Sequence, residues 1–78
     1  MAEHSLQIAV LGVSGRMGRA LVTAIDEAAG AQLSGATASA NSRWLGKDAG
    51  DATGSTRRDV TVEADPAVAL RNAQVAID

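Results

Sequence analysis

Three features of the sequence predict an α/β fold, a parallel sheet with flanking helices. Short apolar strands alternate with helical segments along the chain. The first strand, Leu6-Gln7-Ile8-Ala9-Val10-Leu11, is apolar on both faces from Ile8 onward, as suits a central parallel strand covered by helices on both sides. That strand runs directly into Gly12-Val13-Ser14-Gly15-Arg16-Met17-Gly18, with a glycine at every third position, before an amphipathic helix begins.

The remaining elements follow in order. Met17, Leu21, Ala24 or Ile25, and Ala28 recur on one face of a helix, and Gly30 is placed to stop it. Leu33 to Thr37 is a second strand, loosened by Ser34 and Gly35. Residues 38–59 are rich in Ser, Thr, Asn, Gly and Asp. They read as mostly loop, with at most a short helical turn near Trp44, and a loop that long often carries function. Val60-Thr61-Val62 is a short third strand. Asp65-Pro66 starts a helix, because Asp65 can accept from free N–H groups and Pro66 suits the first helical position; this helix runs from Pro66 to about Asn72. Val75-Ala76-Ile77 begins a fourth strand. The alternation implies right-handed crossovers between parallel strands. The chain has 78 residues, short of the roughly 100–150 of a complete domain of this kind. It stops at Asp78 with nothing to cover the last strand, so further chain is expected beyond it.

Composition narrows the classes of function. Apolar residues make up 46% and charged residues 21%, ordinary values for a soluble globular protein. A net charge of −2 gives no general attraction to nucleic acid or anionic membranes. One Trp, with no Phe or Tyr, leaves no aromatic platform for single-stranded bases. The longest apolar run, Ile8 to Leu11, is too short to cross a bilayer, and Met1 to Ser5 lacks the character of a signal peptide. A cytoplasmic protein with no nucleic-acid or membrane partner is expected. Cysteine is absent, which excludes disulfides and thiolate metal sites, and no metal site is expected.

The chemistry sits in Gly12-x-x-Gly15-x-x-Gly18. Between a strand and a helix this spacing suits a dinucleotide pyrophosphate. Gly12 allows the sharp turn out of the strand, Gly15 the close approach of backbone to phosphate, and Gly18 tight packing of helix on sheet. The anion then rests on the unpaired N–H groups at the positive end of the helix dipole. Arg16 and Arg19 oppose that dipole when no anion is bound, and Ser14 can cap the helix or offer a hydroxyl to a phosphate. The competing reading is a plain tight turn; the strand before, the helix after and the two arginines argue against it. No Gly-Lys-Ser/Thr ends the loop, so it is not an ATPase-type phosphate loop. The fold is thus expected to be Rossmann-type. In that fold an acid about 20 residues past the glycines holds the ribose 2′-OH. Here that region is Thr37-Ala38-Ser39, with no acid. Ser39, Asn41, Ser42 and Arg43 can instead surround a 2′-phosphate, or form a solvated polar loop. The cofactor is expected to be NADPH or NADH.

The string from Ile8 to Arg19, with Gly-Arg-Met-Gly at its centre, resembles the opening of the dihydrodipicolinate reductases. Ser42-x-x-x-Gly46-x-Asp48-Ala49-Gly50, with Gly54 beyond, and Val60-Thr61-Val62 followed later by Val75-Ala76-Ile77-Asp78 match the same family. The resemblance covers nearly the whole chain. It implies a two-domain oxidoreductase of lysine and diaminopimelate biosynthesis that reduces a dipicolinate precursor to tetrahydrodipicolinate with NAD(P)H. It implies that residues 1–78 are the N-terminal part of the cofactor-binding domain, and that Gly12, Val13, Ser14, Gly15, Arg16 and Met17 touch the cofactor. Ser39 joins them at the ribose end. Many members carry an acid at the position of Ala38 and often Arg at that of Ser39; this chain has neither, so the choice between NADH and NADPH stays open.

The resemblance also places the catalytic residues, a His pair and a Lys, in a second domain that assembles a homotetramer around a small-molecule substrate. Nothing in this chain corresponds to them, so the fragment alone is expected to be inactive. His4 is no candidate; Asp26 and Glu27 are expected to be solvated, and Asp48 is a turn former or part of the loop motif. An alternative is a non-catalytic NAD(H)-sensing module that regulates a partner.

Overall fold

In the computed structural model, which describes residues 6–54 and 56–77, the predicted alternation is realised. His4 and Asp78 lie outside the described residues. The run Leu6–Leu11 forms β1. Helix α1 (Arg16–Glu27) follows, then β2 (Ala31–Thr37), a short α2 (Ala49–Thr53), β3 (Val62–Glu63), α3 (Pro66–Ala69) and β4 (Val75–Ile77). The four strands form one sheet in the order β3-β2-β1-β4, with every pair parallel. From β1 the chain moves outward through β2 to β3, then returns to the other side of β1 as β4. The strand order therefore reverses beside β1, where ligands bind in open sheets of this type. This is the Rossmann-type architecture that the sequence predicts.

The core is aliphatic. Val10, Val13, Val22 and Val62 are fully enclosed, with Ile8, Ile25, Leu33 and Ala36 packed around them. The apolar stripe of α1 differs from the expected one. Gly18, Val22 and Ile25 are buried, whereas Met17 is 69% exposed and Ala24 and Ala28 face solvent. The helix is turned by about one residue because it approaches the chain most closely at Gly18. A Cβ there would lie 2.3 Å from the Val13 carbonyl oxygen. Hydrophobic periodicity gives no weight to a glycine, so Met17 stood in for it in the sequence pattern.

The second strand starts two residues earlier than predicted. The Leu6 N–H donates to the Gly30 carbonyl at 2.7 Å, and Leu6 pairs with Ala31, which draws Ala31 and Gln32 into the sheet. Its register against β1 shifts between Ile8 and Ala9, which face Leu33 and Gly35, so Ser34 is the extra residue. Gly35 lets α3 settle on β2: a Cβ there would be 2.0 Å from the Ala69 carbonyl oxygen.

Residues 38–59 contain more structure than a loop. Turns do surround Trp44, where the Lys47 N–H donates to the Trp44 carbonyl at 3.0 Å. Beyond them lies α2, which the sequence reading missed. Asp48 caps it, and Gly54, with φ of 71°, ends it in the left-handed conformation. The third strand is Val62–Glu63 rather than residues 60–62. The Val60 N–H is taken by the Asp48 carboxylate at 3.0 Å, and Thr61 forms an antiparallel bridge with Asp48. Asp65 caps α3 through the Ala67 N–H at 2.9 Å, with Pro66 at its start as expected, but the helix ends at Ala69 instead of Asn72. Among the described residues no helix is long and apolar enough to cross a membrane.

Candidate functional site

The glycine loop leaves the C-terminal end of β1 at the point where the strand order reverses. Gly12 has φ of 84°, a left-handed conformation that glycine adopts without steric cost. Its N–H donates to both the carbonyl and the hydroxyl of Thr37, each at 3.0 Å, and the Val13 N–H donates to the Thr37 carbonyl at 2.7 Å. Thr37, a buried polar residue at the end of β2, thus ties the turn to the neighbouring strand. Nothing in the sequence pattern marked it, because a Thr at a strand end is commonplace.

These bonds divide the candidate residues. Gly12 and Val13 shape the turn, and their N–H groups are already engaged. The Val13 side chain is fully buried and contributes to the core. Gly15, extended at φ −86° and ψ 177°, is the residue that precedes α1. The first bond of the helix runs from the Arg19 N–H to the Gly15 carbonyl at 3.1 Å. The N–H groups of residues 15–18 therefore have no intrahelical acceptor, and none is found for them among the described residues. A Cβ at Gly15 would meet nothing within 4 Å, so the space beside Gly15 is open.

Ser14 does not cap the helix. The cap position belongs to Gly15, one residue further on, and no side chain bonds to the helix start. The Ser14 hydroxyl stays exposed beside the open donors. The first turn of α1 contains no acid and carries Arg16 and Arg19. Met17, on the same turn, presents its thioether to solvent. A 12-residue helix with an uncapped, cationic N-terminus favours an anion there.

The second half of the site lies off β2. Leu11 pairs with Thr37 across the sheet, so the glycine loop and the residues after Thr37 share one edge. Ala38 is buried and Ser39 exposed. The Ser42 N–H closes a turn onto the Ser39 carbonyl at 2.9 Å. The Arg43 guanidinium sits 4.9 Å from the centre of the Trp44 ring. The structure thus brings Gly12 to Met17 and Ser39 to the same edge of the sheet.

Asp48 stands apart from this site and organises the chain around it. One carboxylate oxygen accepts from the N–H groups of Gly50 and Arg58, both at 2.8 Å, and the other from Val60 at 3.0 Å. Partial burial pushes its carboxyl up, but the three N–H donors and the nearby Arg57 charge outweigh that and hold it below the ordinary value of 3.8. Asp26 is not merely solvated, as the sequence suggested. Both its oxygens accept from the Arg58 guanidinium, which joins α1 to the segment after α2. Lys47, Asp51, Arg57 and Thr61 line a polar cleft of about 360 Å³; none of the glycine-loop residues borders it.

Comparison with known proteins agrees with this geometry. The family model described as "Dihydrodipicolinate reductase, N-terminus" matches residues 6–78. A 4-hydroxy-tetrahydrodipicolinate reductase of Rhodopseudomonas palustris (strain BisA53) is 47% identical over 60 residues, covering 77% of this chain and 22% of that protein. The reductase of the same name from Roseobacter denitrificans is 44% identical over 73 residues, covering 94% of this chain and 27% of its own length. That of Agrobacterium fabrum is 35% identical over all 78 residues, or 28% of its length. The chain thus spans between 22% and 28% of the curated relatives it matches here. With its parallel sheet, its glycine loop at the reversal of strand order and a family match from residue 6 to residue 78, the chain belongs to the dihydrodipicolinate reductase family, in the N-terminal part of it.

Proposed function

We propose that this chain supplies the pyrophosphate-binding loop of an NAD(P)H-dependent 4-hydroxy-tetrahydrodipicolinate reductase of lysine and diaminopimelate biosynthesis. The observation that carries this reading is the open, uncapped N-terminus of α1 beside the open face of Gly15. Those donors fit a dinucleotide pyrophosphate, whose charge also relieves the opposition between Arg16, Arg19 and the helix dipole. The nicotinamide, when bound, supplies the hydride. The chain's own residues bind and orient. Gly12 turns the backbone, the N–H groups of Gly15, Arg16 and Met17 face the phosphates, the Ser14 hydroxyl lies beside them, and Ser39 lies towards the adenosine ribose.

On this reading residues 1–78 are one part of the cofactor-binding domain. The groups that handle the small-molecule substrate, and the contacts that assemble a homotetramer, lie in the remaining length of a protein like its relatives, working in the cytoplasm. The cofactor is NADPH or NADH. The balance lies towards NADPH, since the residues after β2 place no carboxylate where it would repel a 2′-phosphate.

Substitution Gly15→Val in the full-length protein tests the loop. A Cβ there meets nothing within 4 Å, so circular dichroism and melting should match the parent. Affinity for both NADPH and NADH, read by calorimetry, should fall by about tenfold or more, which is about 1.4 kcal/mol. Unchanged affinity would sink the loop assignment.

A further inference from the structure

We propose that Arg43, stacked on Trp44, recognises the 2′-phosphate of NADPH and so sets the preference for NADPH over NADH. This rests on the dinucleotide reading above and adds to it one specificity-determining residue. A dinucleotide whose pyrophosphate lies on α1 puts its adenosine ribose off the end of β2. At that end the Thr37 hydroxyl is spent on Gly12, Ala38 is buried, and Ser39 is exposed. The segment from Ala38 to Arg43 carries no carboxylate to accept from a 2′-OH or repel a phosphate; Glu63, paired with Thr37, ends the next strand.

The chain then turns back on itself. The Ser42 N–H reaches the Ser39 carbonyl at 2.9 Å, and the Ser42 hydroxyl accepts from the Trp44 N–H at 3.1 Å. These bonds place Arg43 one residue beyond the point where the turn closes on Ser39. Trp44 is half-buried and packed against the core, so its ring is an anchored platform. The Arg43 guanidinium lies over it at 4.9 Å.

A guanidinium stacked by its face keeps its N–H donors in the plane, free for oxygen atoms, and that planar fork matches phosphate geometry. Arg43 has no carboxylate partner among the described residues, whereas Arg57 is paired with Asp59 and Arg58 with Asp26. Arg16 and Arg19 belong to the first turn of α1, on the pyrophosphate side. Arg43 is therefore the cation positioned at the ribose end with its donors unspent.

The test is calorimetric titration of the full-length protein with NADPH, NADH and 2′,5′-ADP, for the parent, Arg43→Gln and Gly15→Val. The Trp44 indole N–H is followed by NMR as an independent reporter. Arg43→Gln is expected to weaken NADPH and 2′,5′-ADP by about tenfold, the scale of one charge-assisted hydrogen bond, and to leave NADH within about twofold. In the parent, 2′,5′-ADP should shift the Trp44 indole signal, and in Arg43→Gln that shift should shrink. Equal losses for NADPH and NADH would overturn the assignment, and so would no loss for either in a protein whose binding Gly15→Val weakens. If the parent binds neither nucleotide, or Gly15→Val binds as the parent does, the dinucleotide reading itself fails and this proposal falls with it.

Discussion

A Cβ at Gly18 would lie 2.3 Å from the Val13 carbonyl oxygen, whereas a Cβ at Gly15 would meet nothing within 4 Å. Two glycines three residues apart therefore answer to different constraints. Gly18 is required by packing, since Val13 is fully buried and its backbone is held by Thr37. Gly15 is free of packing, so no contact among the described residues requires its small size. Gly18→Ala should accordingly cost about 1–3 kcal/mol, the usual penalty for forcing atoms into a filled site, and should be seen as a lower urea midpoint. A midpoint equal to the parent's would mean that α1 can slide away from Val13 freely. Gly12 answers to a third constraint, its φ of 84°.

At the scale of elements, the segment from Gly46 to Thr61 is held largely by one carboxylate. Asp48 caps α2 and also accepts from Arg58 and Val60, so a single side chain fixes both ends of that excursion. Arg58 in turn grips Asp26, which fastens the excursion to α1. Because the Asp48 carboxyl sits below its ordinary 3.8 when folded, the stability it contributes is complete above the unfolded value. It is lost as pH falls through the lower folded value. Asp48→Asn should therefore destabilise the protein by about 1–2 kcal/mol at neutral pH, the scale of charge-assisted bonds to backbone N–H groups. The gap between variant and parent should narrow on acidification below pH 3.8. Chemical unfolding at neutral pH and at acid pH measures it, and a gap that stays constant would show that the carboxylate charge is not what holds the segment.

For the whole molecule, stability is distributed unevenly. β1 lies between β2 and β4 and supplies Ile8, Ala9 and Val10 to the core, while β4 pairs with β1 alone and leaves Val75 41% exposed. The core is built from small and medium aliphatic side chains, with Trp44 only at its margin. Regions with few buried apolar contacts open first. In the 78-residue chain, amide hydrogen exchange should be slowest in β1 and the adjoining part of β2, and fastest in β4 and α3. Equal protection in β4 and β1 would contradict this gradient.

Features that depend on near neighbours were legible in the residues alone. Doubly apolar Ile8 to Leu11, the glycines at every third position, Asp65 ahead of Pro66 and the alternation of short elements were sufficient for the Rossmann-type order and for the glycine turn between β1 and α1. Each of these is a local preference of backbone or burial, readable within a few residues. The tertiary structure decided what depends on partners far along the chain. Thr37 claims the N–H groups of Gly12 and Val13 from 25 and 24 residues away, so neither N–H is left to donate elsewhere. Asp48 reaches Val60 across 12 residues and thereby makes α2 and displaces β3. Arg58 finds Asp26 across 32 residues, and the rotation of α1 follows from the approach of Gly18 to Val13. A hydrogen bond or a steric limit of this kind has no periodic trace in a sequence, because it exists only once the sheet has brought distant residues to the same edge.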